Sequence, residues 1–397
     1  MGLNIMQLKI INAKVILPAG IVEGGTVLVN GGKIMDIAPH DTGVKAAETL
    51  DAGGLYLSPG FIDIHVHGGG GHDFMDNTVE AFLGIAQLHA RYGTTALTPT
   101  TLSCEQDDLL TTLDTYASAH AQNTRGARFI GMHIEGPYFS MEQRGAQDPR
   151  YIRNPDPAEY RSILERYDYI KRWSAAPELE GALAFGQYLQ SKNVLAAIAH
   201  TNALDTEVLT AFAQGYTHAT HFYSCMSTVT RRHAFRYGGA VEAAYLLDGM
   251  TVEVIADGKH LPASLLQLIH KIKGTENIAL ITDAMRGAGM PEGPSILGGL
   301  KNGQPVIIED GVAKMPDRTA FAGSVATADL LVRNMIHMAG IPLVDAVRMI
   351  TATPARIMGV DRQMGSLLPG RQADLVLFDD HIRIQRTLLS GQTIFQQ

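Results

Sequence analysis

The chain has 397 residues, of which 46% are hydrophobic and 18% charged, a composition typical of a folded protein with one large domain and room for a smaller one. Its formal charge of -8 argues against a nucleic-acid partner held by phosphate contacts, and its two cysteines exclude a disulfide framework. The first residues do not resemble a signal peptide, and no stretch approaches the roughly 18 unbroken apolar residues of a membrane helix, so we expect a cytoplasmic protein with no membrane partner.

Both ends of the chain carry short apolar runs separated by turn residues. Residues 1–57 alternate such runs with glycine pairs of the kind found in hairpin turns, and residues 360–397 carry similar apolar runs with single glycines between them. We therefore predict a small β-sandwich domain formed by both termini, from residues 1–57 and 360–397. It would enclose a central domain of residues 58–359.

The central region alternates short apolar runs with stretches of helical spacing, the pattern of βα units around a parallel sheet. The eight candidate strands span residues 61–67, 95–100, 129–136, 169–177, 194–200, 218–223, 252–257 and 278–284. Eight units in about 300 residues favour an α/β fold of the (β/α)8 TIM-barrel type. A doubly wound sheet would fit the alternation almost as well, so the count alone leaves both open.

Polar residues lie at or near the carboxyl ends of several candidate strands, although strands buried on both faces should be apolar throughout. The metal-capable residues at these positions are His65, His67, Glu135, His200, His221 and Asp283. Asp257 and His260 follow the seventh strand. The carboxyl ends of barrel strands meet at one mouth, where active sites lie, so we expect these side chains to converge.

The pair His65 and His67 can face the same side of a strand, since residues two apart share a face, and together they can grip one ion. A lone H-x-H pair is common by chance, and a single histidine at a strand end is more often a packed residue; the whole set is harder to explain by core packing. Imidazole and carboxylate donors without cysteine suit Zn, Fe, Mn or a similar divalent metal. The number of donors exceeds one tetrahedral site, so one or two ions per chain are expected, with Glu135 as the bridge.

Several longer motifs resemble the amidohydrolase superfamily, and within it the N-acetylglucosamine-6-phosphate deacetylase family. They include "SPGFIDIHVHG" (58–68), "GMHIEGPYFS" (131–140), "AHTNA" (199–203), "VEVIADGKH" (252–260) and "ITDAM" (281–285). The order of "HIEGP", "ADGKH" and "TDA" is specific to that family, whereas "PGFIDIHVH" alone would indicate only the superfamily.

The resemblance implies a role for each matching position. Glu135, His200 and His221 would bind the principal metal, and His65 and His67 would hold a second ion in members that keep the pair. The resemblance further implies that Asp283 is the catalytic acid/base at the metal. It implies that His260 contacts the sugar or the reacting amide.

The segment after the sixth strand departs from the family pattern. Ser224 and Cys225 stand where an Asn-Ala pair is usual, and "RRHAFRYGG" replaces an Arg-Pro-Gly turn. The family places a phosphate-binding arginine near here; Arg232 is our first choice and Arg236 the second. Ser224, Cys225 and Gln147 are further candidates for substrate contact, and a plain surface loop is an equal alternative for Gln147.

The resemblance implies deacetylation of an N-acetyl-amino-sugar 6-phosphate, with N-acetylglucosamine 6-phosphate first, and a homodimer as the assembly. Alternatives are an amidohydrolase acting on another N-acyl substrate, such as N-acetylgalactosamine 6-phosphate, and a non-catalytic scaffold of the same fold. Retention of all six candidate residues argues against the scaffold.

Overall fold

The structure, a computed structural model, describes residues 6–397. Its strands are β1 (Met6–Leu17), β2 (Gly20–Asn30), β3 (Lys33–Ala38), β4 (Ala46–Asp51), β5 (Tyr56–Pro59), β6 (Phe61–Val66), β7 (Gly68–Gly69), β8 (His72–Asp73), β9 (Thr94–Pro99), β10 (Arg128–Phe129), β11 (Met132–Glu135), β12 (Ile170–Ala175), β13 (Leu195–Ile198), β14 (Tyr216–Ala219), β15 (Thr230–Arg232), β16 (Phe235–Tyr237), β17 (Thr251–Val254), β18 (Ile278–Leu280), β19 (Gly293–Leu297), β20 (Gln304–Glu309), β21 (Val312–Lys314), β22 (Leu375–Phe378), β23 (Ile384–Leu389) and β24 (Gln392–Gln396). Its helices are α1 (Val79–Ala90), α2 (Gln106–Gln122), α3 (Pro157–Arg166), α4 (Ala182–Ser191), α5 (Asp205–Ala213), α6 (Ala240–Leu246), α7 (Ala263–Lys273), α8 (Ala328–His337), α9 (Leu343–Ile350) and α10 (Ala352–Ile357).

The two termini of the described chain meet in one eight-stranded sheet. Its order is β24-β23-β22-β5-β1-β2-β3, and β4 pairs with β1 outside this path. The link between the termini is the antiparallel pairing of β22 with β5, which sets Leu377 opposite Leu57. Apolar side chains of this sheet form a core of their own, because alternate residues such as Leu8 and Ile10 on β1 are buried.

The strands of the central region are parallel and lie in two sheets. One has the order β10-β9-β6, and the other has the order β11-β12-β13-β14-β17-β18. Isolated parallel bridges join the two at both edges, Thr100 with His133 and Val66 with Ala284. Every residue of β6 is buried, as expected of a parallel strand that is covered on both faces. Along the chain, the strands of these two sheets alternate with helices. The chain has a TIM-barrel-like α/β fold.

Helix α1 begins at a residue that offers a capping group, and it buries apolar side chains on one face. At α1, the Thr78 hydroxyl accepts a hydrogen bond from the Ala81 amide at 3.1 Å, which satisfies one of the free amides of the first turn. Phe82 and Ile85 on the same helix are fully buried. No helix within residues 6–397 has both the length and the apolar content needed to cross a membrane.

Three of the predicted strands end earlier than expected, so the polar residues predicted at their ends lie in the loops that follow. The strands predicted to end at His200, near His221 and at Asp283 stop at Ile198 (β13), Ala219 (β14) and Leu280 (β18). These three polar residues therefore lie two or three positions beyond the strands, where the chain has already begun to turn.

Two excursions from the parallel strands were not expected from the sequence. The antiparallel strands β19, β20 and β21 lie between β18 and α8, and the two-stranded hairpin β15–β16 follows β14. Both begin from loops at the carboxyl ends of the parallel strands, so both border the region where the polar residues meet.

Candidate metal centre and active site

Glu135, His200 and His221 form the first of two groups of donor atoms that could hold a metal ion. The Nε2 atom of His221 lies 3.1 Å from Glu135 Oε1 and 3.2 Å from the Nε2 atom of His200. The Nε2 atom of His200 is 3.6 Å from the same carboxylate oxygen. All three residues are buried, so water alone does not solvate these donors.

The hydrogen bonds of the Nδ1 atoms in the first group determine whether the Nε2 atoms carry a proton or a lone pair. The Nδ1 atom of His200 donates a hydrogen bond to the carbonyl oxygen of Gln143 at 2.9 Å, and that of His221 donates to the carbonyl of Ser224 at 3.1 Å. A carbonyl can only accept, so in a neutral ring the Nε2 atom carries a lone pair. Two lone pairs and a carboxylate oxygen then face one point, an arrangement that a cation stabilises.

His65, His67 and Glu135 form the second group. The Nε2 atoms of His65 and His67 lie 3.2 Å apart, and each is 3.4 Å from an oxygen of Glu135. Asp283 Oδ1 approaches the same two nitrogens, at 3.3 Å from His67 and 3.4 Å from His65. Glu135 therefore belongs to both groups, the geometry expected of a carboxylate that bridges two positions.

The pKa shifts in this centre show that its buried carboxylates are stabilised by positive charge around them. Burial by itself would raise the pKa of Glu135, but the imidazoles around it, His65 first, hold that pKa well below its usual range. The pKa of Asp283 is likewise lowered, because His65 and His67 outweigh the effect of burial. Burial would lower the pKa of His67, yet hydrogen bonds with Asp283 and Glu135 raise it to about 10. The donor set therefore fits a divalent metal.

Left-handed backbone conformations turn three of these side chains into the centre. The φ angles are 46° at His200, 28° at His221 and 49° at Asp283, in the region that residues other than glycine seldom adopt. Backbone hydrogen bonds hold the turns, since the Asp283 amide donates to the His65 carbonyl at 2.9 Å. Such strain persists only where surrounding contacts impose it, and it concentrates at functional sites.

Gln147 contacts Glu135 directly. Its Nε2 donates to Glu135 Oε2 at 2.8 Å, and its Oε1 accepts a hydrogen bond from the Ser103 amide at 2.9 Å. The side chain is therefore fixed at both ends, and it orients the shared carboxylate. The alternative of a plain surface loop is wrong for this residue, which is 5% exposed.

A cavity of about 270 Å³ opens onto both groups of donors. Its lining includes Ser224, Cys225 and His260, together with Leu297 and Phe321 from the region of β19–β21. His260 is held by Asp257, whose carboxylate accepts from its Nδ1 at 2.8 Å. The ring of Phe321 packs against that of His260, with centroids 4.8 Å apart.

A comparison with protein-family models shows which family the chain belongs to. Residues 56–396 match the family model described as "Amidohydrolase family". The chain belongs to the amidohydrolase family.

Two curated relatives of this amidohydrolase are deacetylases of amino-sugar phosphates. The chain is 34% identical to N-acetylgalactosamine-6-phosphate deacetylase from Escherichia coli O157:H7, over 85% of this chain and 87% of that protein. It is 31% identical to N-acetylglucosamine-6-phosphate deacetylase from Lysinibacillus sphaericus, over 98% and 97% of the two chains. These matches confirm the resemblance expected from the motifs.

Solved structures similar to this chain include deacetylases of the same kind. A mutant N-acetyl-D-glucosamine-6-phosphate deacetylase from Mycobacterium smegmatis, solved with N-acetyl-D-glucosamine-6-phosphate, has a TM-score of 0.90 and 28% sequence identity. The match covers 98% of this chain and all of that one. The enzyme from Thermotoga maritima has a TM-score of 0.85 at 26% identity, with the same coverage.

The predicted arginines do not line the cavity of this amidohydrolase. Arg232 and Arg236 lie on the hairpin β15–β16, and all six residues of its two strands are exposed. Arg232 borders a separate surface depression beside Glu142 and Glu178. Both residues follow the sixth strand, as the sequence indicates, but the hairpin leaves them outside the lining of the cavity.

Two buried charged residues beneath the metal centre were missed in the sequence analysis. Glu253 lies on β17 and Arg172 on β12, and both are fully buried. The sequence does indicate that they are unusual, because a charged residue inside a parallel strand that is buried on both faces needs a partner. The sequence does not reveal which partner, since the two lie 81 positions apart.

Proposed function

We propose that this chain is a metal-dependent deacetylase that converts N-acetylglucosamine 6-phosphate into glucosamine 6-phosphate and acetate. The observation that carries the proposal is the convergence of two donor groups on Glu135 at the floor of one cavity. Curated relatives and solved structures with this activity, alike over nearly the whole chain, support the substrate class.

The ligands of the principal metal would be Glu135, His200 and His221, and those of a second ion would be His65, His67 and the shared Glu135. When bound, a divalent metal such as Zn, Fe or Mn would supply an acidified water and an electrophile for the acetyl carbonyl. The close approach of ring nitrogens and carboxylate oxygens in both groups supports this assignment.

Asp283 is the proposed catalytic acid/base. The lowered pKa of its carboxyl keeps it ionised and able to accept a proton from the attacking water. It borders the cavity beside His67, so the same carboxyl can afterwards donate that proton to the leaving amine. One group thus performs both proton transfers.

His260 is proposed to contact the substrate. Its Nδ1–H is engaged by Asp257, so the Nε2 of a neutral ring accepts hydrogen bonds. That suits a sugar hydroxyl. A donor role toward the acetyl oxygen requires the protonated ring.

N-acetylgalactosamine 6-phosphate is a second candidate substrate. The relative at 34% identity carries that name, and Ser224 and Cys225 replace the usual family residues in the wall of the cavity. These two residues line the part of the site where substrate would lie, so they are the proposed determinants of sugar identity.

Arg232 and Arg236 are the proposed phosphate-binding residues, although neither lines the cavity. This role is tested together with the substrate. Acetate release is measured for N-acetylglucosamine and N-acetylgalactosamine, each with and without the 6-phosphate, on the unaltered chain and on Arg232→Ala and Arg236→Ala. A preference for phosphorylated sugars supports the proposal, and a higher KM for them alone in one variant identifies the arginine.

The same assay addresses the non-catalytic alternative. Absence of bound metal and absence of acetate from all four sugars would favour a scaffold. Equal rates with and without phosphate would retain the deacetylase and overturn the 6-phosphate specificity.

The finer architecture is also proposed here. The bridges that join the two parallel sheets at both edges support closure of eight strands into one (β/α)8 barrel over residues 58–359. The separate core of the terminal sheet supports a β-sandwich domain from residues 1–57 and 360–397, of which 1–5 lie outside the described residues. A homodimer in the cytoplasm remains a prediction of the sequence and the resemblance, and light scattering of the purified protein tests the dimer.

A further inference from the structure

A buried ion pair lies directly beneath the metal centre. The guanidinium of Arg172 on β12 contacts Oε1 of Glu253 on β17, and both side chains are 0% exposed. Arg172 also donates to the Ile64 carbonyl at 3.1 Å and to the Thr220 hydroxyl at 2.7 Å. Its two terminal nitrogens, Nη1 and Nη2, thus donate to oxygen atoms, and its charge compensates the carboxylate in a place where neither could remain alone.

The second oxygen of Glu253 faces the metal centre. Oε2 accepts a hydrogen bond from His65 Nδ1 at 3.1 Å and another from the backbone amide of His221, also at 3.1 Å. His65 belongs to one donor group and His221 to the other. One carboxylate oxygen therefore contacts both groups from below.

Each contact has a specific consequence. Since a carboxylate only accepts, the bond to His65 requires the proton on Nδ1 and leaves the Nε2 lone pair aimed at His67 and Glu135. The bond to His221 satisfies the amide of a residue whose φ of 28° is otherwise unfavourable.

We propose that Glu253, with Arg172 as its counter-ion, is a positioning residue that makes His65 a metal ligand and fixes the two donor groups relative to each other. The proposal rests on the proposed metal-dependent function and adds a residue to it. Partners of this kind orient metal-ligating imidazoles and raise their basicity, and their loss costs about 10–100-fold in metal affinity or activity.

The test compares two double variants that both remove the buried ion pair. Arg172→Met/Glu253→Gln keeps one oxygen able to accept from His65 and His221. Arg172→Met/Glu253→Met is nearly the same in length and shape but offers no acceptor. Any general cost of removing the pair is common to both variants, so a difference between them reports the acceptor.

Metal-free protein is dialysed against a series of free Zn²⁺ concentrations, and bound zinc per chain is measured by mass spectrometry. We expect the Gln variant to bind Zn²⁺ nearly as the unaltered chain does, and the Met variant to bind at least about tenfold more weakly. Equal affinity of the two variants would overturn the proposal. No amino sugar is needed, so an error in the proposed substrate would not affect the result.

A second measurement covers the case in which the variants do not fold. The unaltered chain, labelled with ¹⁵N-histidine and loaded with Zn²⁺, should show a slowly exchanging N–H at Nδ1 of His65, assigned by its loss in His65→Gln. A His65 ring that carries no proton on Nδ1 would contradict the hydrogen bond to Glu253 and overturn the proposal.

Discussion

The two donor groups share Glu135 but differ in how firmly their imidazoles are held. His200 and His221 each donate Nδ1–H to a backbone carbonyl, and both stand on left-handed turns. His65 donates to the buried carboxylate of Glu253, whereas His67 Nδ1 has no hydrogen-bond partner within residues 6–397. Three of the four rings therefore have an acceptor at Nδ1, whereas His67 is held through the contacts of its Nε2 with Glu135 and Asp283.

This difference has an energetic consequence. An imidazole whose Nδ1–H is held by an acceptor is oriented and made more basic at Nε2, and His67 lacks that support at Nδ1. We expect the group of Glu135, His200 and His221 to bind its ion more tightly than the group that contains His67.

Asp283 lies against the less firmly held group, at 3.3 Å from His67, and its substitution has the largest expected effect. Asp283→Asn should lower kcat by about 10²–10⁴-fold, since it removes the group that transfers the proton. Acetate release measures the rate, and metal analysis of the same sample shows whether the ions remain. Unchanged kcat with normal metal content would exclude the proposed role.

The contrast between the groups is tested by removing one ring from each. His200→Asn should weaken Zn²⁺ binding more than His67→Asn does, by about tenfold, because His200 is held at Nδ1 and His67 is not. Equilibrium dialysis of the two metal-free variants gives both affinities. A larger loss in His67→Asn would reverse the comparison.

The shared carboxylate is tested through Gln147, which orients it. Gln147→Met removes the hydrogen bond to Glu135 Oε2 and keeps the length of the side chain. We expect metal affinity to fall by about tenfold, at the lower end of such effects, because four imidazoles still surround Glu135. Gln147→Glu is the control that keeps the length of the side chain but places a carboxylate against Glu135. In metal-free protein the two carboxylates would repel each other.

The smallest expected effect is on stability without metal. The pKa of His67 is raised from 6.5 to about 10, so its contribution to folding is fully present below pH 6.5 and is lost as pH rises toward 10. Chelated protein should therefore lose roughly a few degrees of Tm over that interval, and His67→Gln should lose less. Thermal scans from pH 6 to 10 measure both, and a chelated chain whose Tm rises with pH would contradict the direction.

The metal centre was predictable because its residues follow a positional rule. Polar residues at the ends of buried strands, such as His65 and His221, are unexpected in a core, and the ends of parallel strands meet. The rule does not reach Arg232, because a hairpin that leaves the sheet can carry its side chains in any direction. Nor does it reach the strands β19–β21, whose residues Leu297 and Phe321 line the cavity.

The sequence by itself determined the parallel strands, the kinds of donor atom and their arrival at one end of the fold, because local periodicity and strand direction suffice for these. Only the tertiary structure decided that Glu135 belongs to both groups, that Gln147 holds it, and that Glu253 and Arg172 pair beneath it. Those contacts depend on the path of the chain over many tens of residues. No local pattern encodes which side chains such a path brings within hydrogen-bonding distance.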